Sequence, residues 1–236
     1  MKRVIKTPRE ISKIKKACNL GDKVFDYILR KIHLGITEKE LVREIDSFIK
    51  NSGSKPSFPT IVAFGKNSAN IHNVPADNKL AKNQIILLDF GVELNGYCSD
   101  MTRTIFFGKP TEKQKKMYGT VLKAQSLAIK AIKDKSILKK PIKEFDIDKI
   151  ARDYIISQGF ESFKHGLGHG IGKKVHEFPP RLSPKSKNYL KVGMVFSIEP
   201  GIYISNFGGV RIEDLVVLEK SGPRILTRSP KNFIIL

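Results

Sequence analysis

Two length scales of apolar repetition alternate along this chain. Thr7, Pro8 and Glu10 read as an N-cap, a proline at the first helical position and a capping box, and apolar residues at 11, 14, 18, 25 and 28 follow at helical spacing. Thr37 and Glu40 form another capping box ahead of Leu41, Ile45 and Phe48. Strands follow to about residue 107. Thr111 and Gln114 then open a third helix through Met117, Val121, Leu122 and Leu127. Pro141 precedes a fourth, through Ile147, Ile150, Ala151 and Tyr154, which Gly159 stops. Helix, helix, strands, and the same again: the pattern predicts an α+β architecture of two pseudo-symmetric halves, about 1–109 and 110–236, not a parallel βαβ wind. At 236 residues the chain is long enough for one large domain with a sizeable core, and no linker or low-complexity stretch divides it.

Carboxylates interrupt this pattern where they are least welcome. Asp89 lies inside the apolar run 84–92, where burying a charge is expensive unless something positive meets it. Asp100 lies in the alternating run 97–107, and Asn95-Gly96 between them is a strong hairpin signal. A two-residue turn there sets Leu94 opposite Tyr97, Gly91 opposite Asp100 and Asp89 opposite Thr102. Asp89 and Asp100 then become diagonal neighbours on one side of the hairpin, roughly 7–8 Å apart at the backbone. Two like charges so close repel unless divalent cations sit between them. A lone aspartate is usually an ordinary surface residue; a pair on an apolar hairpin is a stronger signal.

The second half repeats the device. Glu199 sits on the apolar run 194–203 and Glu213 on the returning run 208–218, with Asn206, Gly208 and Gly209 supplying turn chemistry. The loop length, and so the register, stays open, but strand period puts Arg211 and Glu213 on one face. Three of the five histidines, His165, His169 and His176, cluster in a glycine-rich stretch whose backbone can approach closely. Four carboxylates and one imidazole make a mostly hard donor set, suited to a pair of divalent first-row ions more than to a lone structural zinc. Such a pair can assist nucleophile and carbonyl in one step, which points to metal-assisted amide hydrolysis.

The order Asp89, Asp100, His169, Glu199, Glu213, with its flanks, resembles the pita-bread metallopeptidases, which include methionine aminopeptidases, Xaa-Pro aminopeptidases and prolidases. The likeness covers nearly the whole chain and is nearest the Xaa-Pro branch in the stretches 60–63, 70–75, 88–91, 96–104, 165–179, 199–203 and 209–214. The resemblance implies a curved antiparallel sheet with outer helices and two divalent metal ions, Mn2+ or Co2+ foremost, with Zn2+ or Fe2+ as alternatives. It implies that Asp89 chelates one metal, that Asp100 and Glu213 bridge both, and that His169 and Glu199 complete the second, Glu199 also relaying a proton. His72 matches a histidine that contacts substrate near the scissile bond, and His176 one that supports the scissile carbonyl. His165 and Arg211 match features near the pocket for proline, although a loop cap and a structural counter-charge are their respective structural alternatives.

The implied activity is hydrolysis of the bond between an N-terminal residue and proline in peptides. Two alternatives stand beside it. Chain length and Asn73 suggest a methionine aminopeptidase; a binding protein that uses the fold without hydrolysis is a different class, against which five intact ligands count. The two-domain Xaa-Pro peptidases carry an additional amino-terminal domain, whereas residues 1–236 are expected to form one catalytic domain without it, as a monomer or homodimer.

Composition alters this picture little. Cys18 and Cys98 suggest no disulfide framework, and Cys98, on the Asp100 face by parity, is expected to serve packing. No stretch approaches a membrane span and no apolar run follows the basic amino terminus, so no membrane association and cytoplasmic residence are expected. The net charge of +20 comes from dispersed lysines. A solvated surface explains it better than nucleic-acid or ribosome contact, because no aromatic platform or Cys/His finger accompanies it.

Overall fold

The structure, a computed structural model, describes residues 4–236. Helices α1 (Pro8–Leu29), α2 (Glu38–Asn51) and α3 (Glu112–Ile137) each begin at a capping box: Thr7 with Glu10, Thr37 with Glu40, Thr111 with Gln114. Each box satisfies two backbone donors that a helix start otherwise leaves unpaired. Helix α4 (Glu144–Ser157) has no such side-chain cap. Helix α1 buries Ile14, Ala17, Cys18, Val24, Phe25 and Ile28 along one stripe. Helix α3 departs from its sequence pattern: Leu122 and Leu127 are only partly buried, and the inward stripe runs through Met117, Val121, Ala124, Ala128 and Ile132. The alanines let α3 lie close to the strands beneath, and the amide of buried Gln125 donates to the Ile198 and Ile212 carbonyls.

The strands are β1 (Lys55–Pro56), β2 (Ile61–Phe64), β3 (Gln84–Phe90), β4 (Val92–Leu94), β5 (Tyr97–Cys98) and β6 (Met101–Phe107) in the first half. The second half contributes β7 (Gly168–His169), β8 (Arg181–Leu182), β9 (Val195–Ile198), β10 (Gly201–Ile204), β11 (Gly208–Arg211), β12 (Asp214–Glu219) and β13 (Gly222–Ile225). Asn95 and Gly96 take φ of 52° and 73°, the geometry of the tightest hairpin turn, and Leu94 faces Tyr97. Asp89 faces Thr102 as the sequence predicts.

The first hairpin does not stay in one sheet. Its outer part, β3 and β6, pairs with β2, and its tip, β4 and β5, with β1. The ladder breaks at Gly91, Ser99 and Asp100. The second hairpin does the same. A three-residue loop with Asn206 at φ 59° sets Ile204 opposite Gly208, and β9 pairs with β12 from Ile198 and Asp214 onward. Its break falls at Glu199, Pro200, Ile212 and Glu213.

The hairpins meet along β6 and β11. Glu213 N donates to Thr102 O at 3.1 Å, Thr104 Oγ1 to Arg211 O at 2.8 Å, and Arg211 N to Thr104 Oγ1 at 3.1 Å. Behind this seam Arg103, 1 % exposed, donates to Asp214 Oδ1 at 2.7 Å and to the Glu213 and Ser229 carbonyls. Apolar side chains pack beneath α1 and α2 (Phe25, Ile45, Leu88, Phe90) and beneath α3 and α4 (Val121, Ile147, Phe196, Val216). A smaller cluster of Ile14, Cys18, Cys98, Val195 and Leu215 joins them. No helix among the described residues is long and apolar enough to cross a membrane.

Candidate metal centre

The carboxylates predicted from sequence fall at or beside the two hairpin breaks, where the ladder no longer occupies the space around them. Asp89 stands on β3, Asp100 precedes β6, Glu199 follows β9 and Glu213 precedes β12. His169 ends β7, which reaches the centre because Gly168 lies against the Ser197 backbone; a Cβ there would overlap the Ser197 carbonyl. All five line one cavity of about 520 Å³, together with His72, His165, His176 and Arg211. His169 Nε2 lies 3.3 Å from Glu199 Oε1 and 3.5 Å from Asp100 Oδ2. Asp100, His169 and Glu213 each offer a ligand atom within 4.8 Å of the others.

Neighbours aim these groups. His169 Nδ1 donates to the Gly170 carbonyl at 3.2 Å, which leaves Nε2 as the inward-facing nitrogen. Ser197 Oγ accepts from His169 N at 3.0 Å and donates to Glu199 Oε1 at 2.9 Å. Thr102 Oγ1 donates to Glu213 Oε2 at 2.8 Å. Arg211 spans the group: Nη2 donates to Asp89 Oδ2 at 2.5 Å, Nε to Thr102 Oγ1 at 2.9 Å, and Nη1 to the Tyr203 hydroxyl at 3.0 Å. The Tyr203 hydroxyl in turn lies 3.0 Å from His165 Nε2, whose Nδ1 faces the Gly166 carbonyl at 2.7 Å.

Burial, with like charges beside it, makes the carboxylates hard to ionise. Burial pushes Asp89 up to about 6 against the pull of Arg211. It raises Asp100 against the hydrogen bond from His169, raises Glu199 likewise, and together with Asp100, Glu199 and Asp89 lifts Glu213 far above the carboxylate range. Burial alone would lower His169, but Asp100 and Glu199 outweigh it and hold the imidazole up at about 9. Burial and the Arg211 charge push His165 down to about 4, so it is a neutral partner for Tyr203. Asp89 Oδ1 and Glu213 Oε1 are buried with no hydrogen-bond partner. Orphaned buried oxygens on clustered carboxylates, with one imidazole nitrogen beside the group, fit divalent cations.

His72 is exposed at the rim, and Asn73 ties its loop to β2 through the Val62 carbonyl at 2.9 Å. The His176 ring meets His169 edge-on, 4.2 Å between centroids, and lies parallel to Phe178. Burial and the His169 charge lower its pKa. Sequence reasoning missed Tyr203, Thr102 and Ser197. Tyr203 left a trace: strand parity puts it on the Glu199 face, and Gly201 between them leaves room for its ring.

The chain belongs to metallopeptidase family M24, whose model matches residues 12–220. Its fold is the pita-bread fold of that family. It is 41% identical to a Xaa-Pro dipeptidase of Pyrococcus furiosus over 234 residues, 98% of this chain and 65% of that protein. An uncharacterised peptidase of Staphylococcus haemolyticus is 44% identical over 231 residues, 97% of this chain and 64% of the relative. The solved structure of a Xaa-Pro dipeptidase from Bacillus anthracis superposes with a TM-score of 0.93 at 40% identity, covering 99% of this chain and 64% of that one. The chain thus spans just under two thirds of the length of these proteins.

Proposed function

We propose that residues 1–236 carry the catalytic machinery of a metal-dependent exopeptidase that hydrolyses the bond between an N-terminal residue and proline. The observation that carries this reading is the convergence of Asp89, Asp100, His169, Glu199 and Glu213 on a cavity whose remaining wall includes His165, Arg211 and apolar Phe58, Ile61 and Phe178. The relatives named as Xaa-Pro dipeptidases support the choice of proline. Asp89, Asp100, His169, Glu199 and Glu213 would hold the ions; Mn2+ or Co2+ suits this oxygen-rich set, with Zn2+ or Fe2+ as alternatives. The ions would supply Lewis-acid assistance to nucleophile and scissile carbonyl. Glu199 takes the proton of the attacking water and returns it to the proline nitrogen, which has no hydrogen of its own and leaves as a secondary amine. His176 donates to the developing oxyanion and His72 steadies the scissile bond from the rim. Neutral His165, with Arg211 behind it, walls the ring pocket. The site works in a water-soluble chain, resident in the cytoplasm, as monomer or homodimer.

A peptide panel on the metal-loaded chain tests this reading. Ala-Pro-Ala should be cleaved after its first residue, with loose choice at that residue, and Met-Ala-Ala scarcely at all. Robust cleavage of Met-Ala-Ala with none of Ala-Pro-Ala would make the chain a methionine aminopeptidase instead.

A further inference from the structure

A second cavity, of about 640 Å³, adjoins the first and shares His165, Gly166 and Arg181 with it. Its wall carries Arg152, Lys164, Arg181, Lys185 and Lys187 and no carboxylate. Arg152 is committed below the surface to Asp148 and to the Phe163 and His165 carbonyls. Lys164, Arg181, Lys185 and Lys187 make no ion pair among the described residues, which leaves their charge unneutralised around the concavity. Arg181 lies over the Phe178 ring, 5.3 Å from its centroid, at the junction of the cavities.

Two buried acids of α4 hold this wall in place. Glu144 Oε2 accepts from Arg181 N at 3.1 Å and Ser186 Oγ at 2.5 Å, and Asp148 Oδ1 accepts from Leu167 N at 2.9 Å. The cations therefore stand on anchored backbone around a concavity, where their fields add, and not on a convex lysine face. The volume lies within the range of ligand pockets, about 300–1,000 Å³.

We propose that this cavity is a carboxylate subsite of the peptide cleft, taking the acidic group of the residue that follows proline. The proposal rests on the Xaa-Pro reading, which puts His165 on the proline side of the scissile bond. A chain continuing beyond proline then passes His165 and Arg181 into the second cavity. The carboxylate comes either from an Asp or Glu side chain or from the free end of a tripeptide.

Binding of non-hydrolysable Ala-Pro peptides to the metal-loaded chain tests the subsite. Three endings are compared: Asp-amide, Asn-amide, and Asn with a free carboxylate. Asp-amide or the free acid should bind about two- to fivefold more tightly than Asn-amide at low salt, with the gap narrowing as salt rises. A gap for Asp-amide identifies the side chain as the carboxylate, and a gap for the free acid alone identifies the chain end. In the double variant Lys185→Gln, Lys187→Gln the gap should shrink. Equal binding of all three, or a gap that survives the double variant, overturns the subsite. Hydrolysis of ordinary Ala-Pro-Asn-amide is scored beside it. Cleavage without an acid preference sinks the subsite alone; an acid preference without cleavage sinks the activity reading alone.

Discussion

The 2.5 Å contact of Arg211 with Asp89 Oδ2 joins it to the ligand set. The sequence leaves it open between a place near a proline pocket and a counter-charge to the carboxylates. Removing it would leave Asp89 with buried, unpaired charge and the Tyr203 hydroxyl without its donor. Arg211→Ala should therefore weaken metal binding about 10- to 100-fold, as loss of a partner behind a ligand does, and destabilise the metal-free chain by about 3–5 kcal/mol. Calorimetric metal titration and urea unfolding measure both. His165 contacts Tyr203 and not a ligand, so His165→Ala should cut Xaa-Pro turnover while leaving the metal isotherm unchanged. A weakened isotherm in that variant would show that the Tyr203 bridge transmits to Asp89. At this scale the sequence was informative where local geometry fixes a pair. The Asn95-Gly96 turn alone sets Asp89 against Thr102, as the fold has it. Thr102 and Ser197 escaped because the links Thr102–Glu213 and Ser197–His169 exist only in the folded chain.

Among the elements, α4 anchors the chain leading to His169. Its spacing marked the helix, but nothing local distinguished Glu144 and Asp148 from solvent-facing acids, and both are buried. Asp148 receives Leu167 N and Arg152, and Arg152 caps the carbonyls of Phe163 and His165, so one side chain fixes the approach to His169. Asp148→Ala leaves the part-buried Arg152 guanidinium without its carboxylate and Leu167 N without its acceptor, and should cost about 1–3 kcal/mol in urea unfolding. A loss under about 1 kcal/mol would mean that the glycine-rich stretch holds itself. The stripe of α3 was right at Met117 and Val121 but drifted to Leu122 and Leu127 for a related reason: alanines carry little weight in an apolar pattern, yet Ala124 and Ala128 form the face that packs. The hairpin breaks were also hidden, because β3 to β6 read as one continuous ladder when each facing pair obeys one register.

For the molecule as a whole, the metal-free centre is a liability that grows with pH. Asp89 is raised to about 6 from an ordinary 3.8, so its contribution to stability is fully present below pH 3.8 and lost as pH rises through about 6. His169, raised to about 9 from 6.5, adds a loss through that higher range. Cations need the deprotonated forms, so binding should release protons and stabilise by mass action. The rise in melting temperature on adding Mn2+ should therefore be small near pH 4 and grow through pH 6 to neutrality. A rise that is constant across that window would mean that the ions bind elsewhere. The repeated order of helices and strands was legible from capping boxes and periodicity, whereas the basic cavity beside the cleft was not, since its lysines come from separate loops.

Calorimetric titration of the chelated chain with Mn2+ at neutral pH tests whether Asp89, Asp100, His169, Glu199 and Glu213 hold a pair of ions. About two ions per chain should bind, and Asp100→Ala, which removes one ligand, should abolish binding of at least one. A chelated chain that takes up no ions, or an Asp100→Ala variant with an unchanged isotherm, would contradict this assignment.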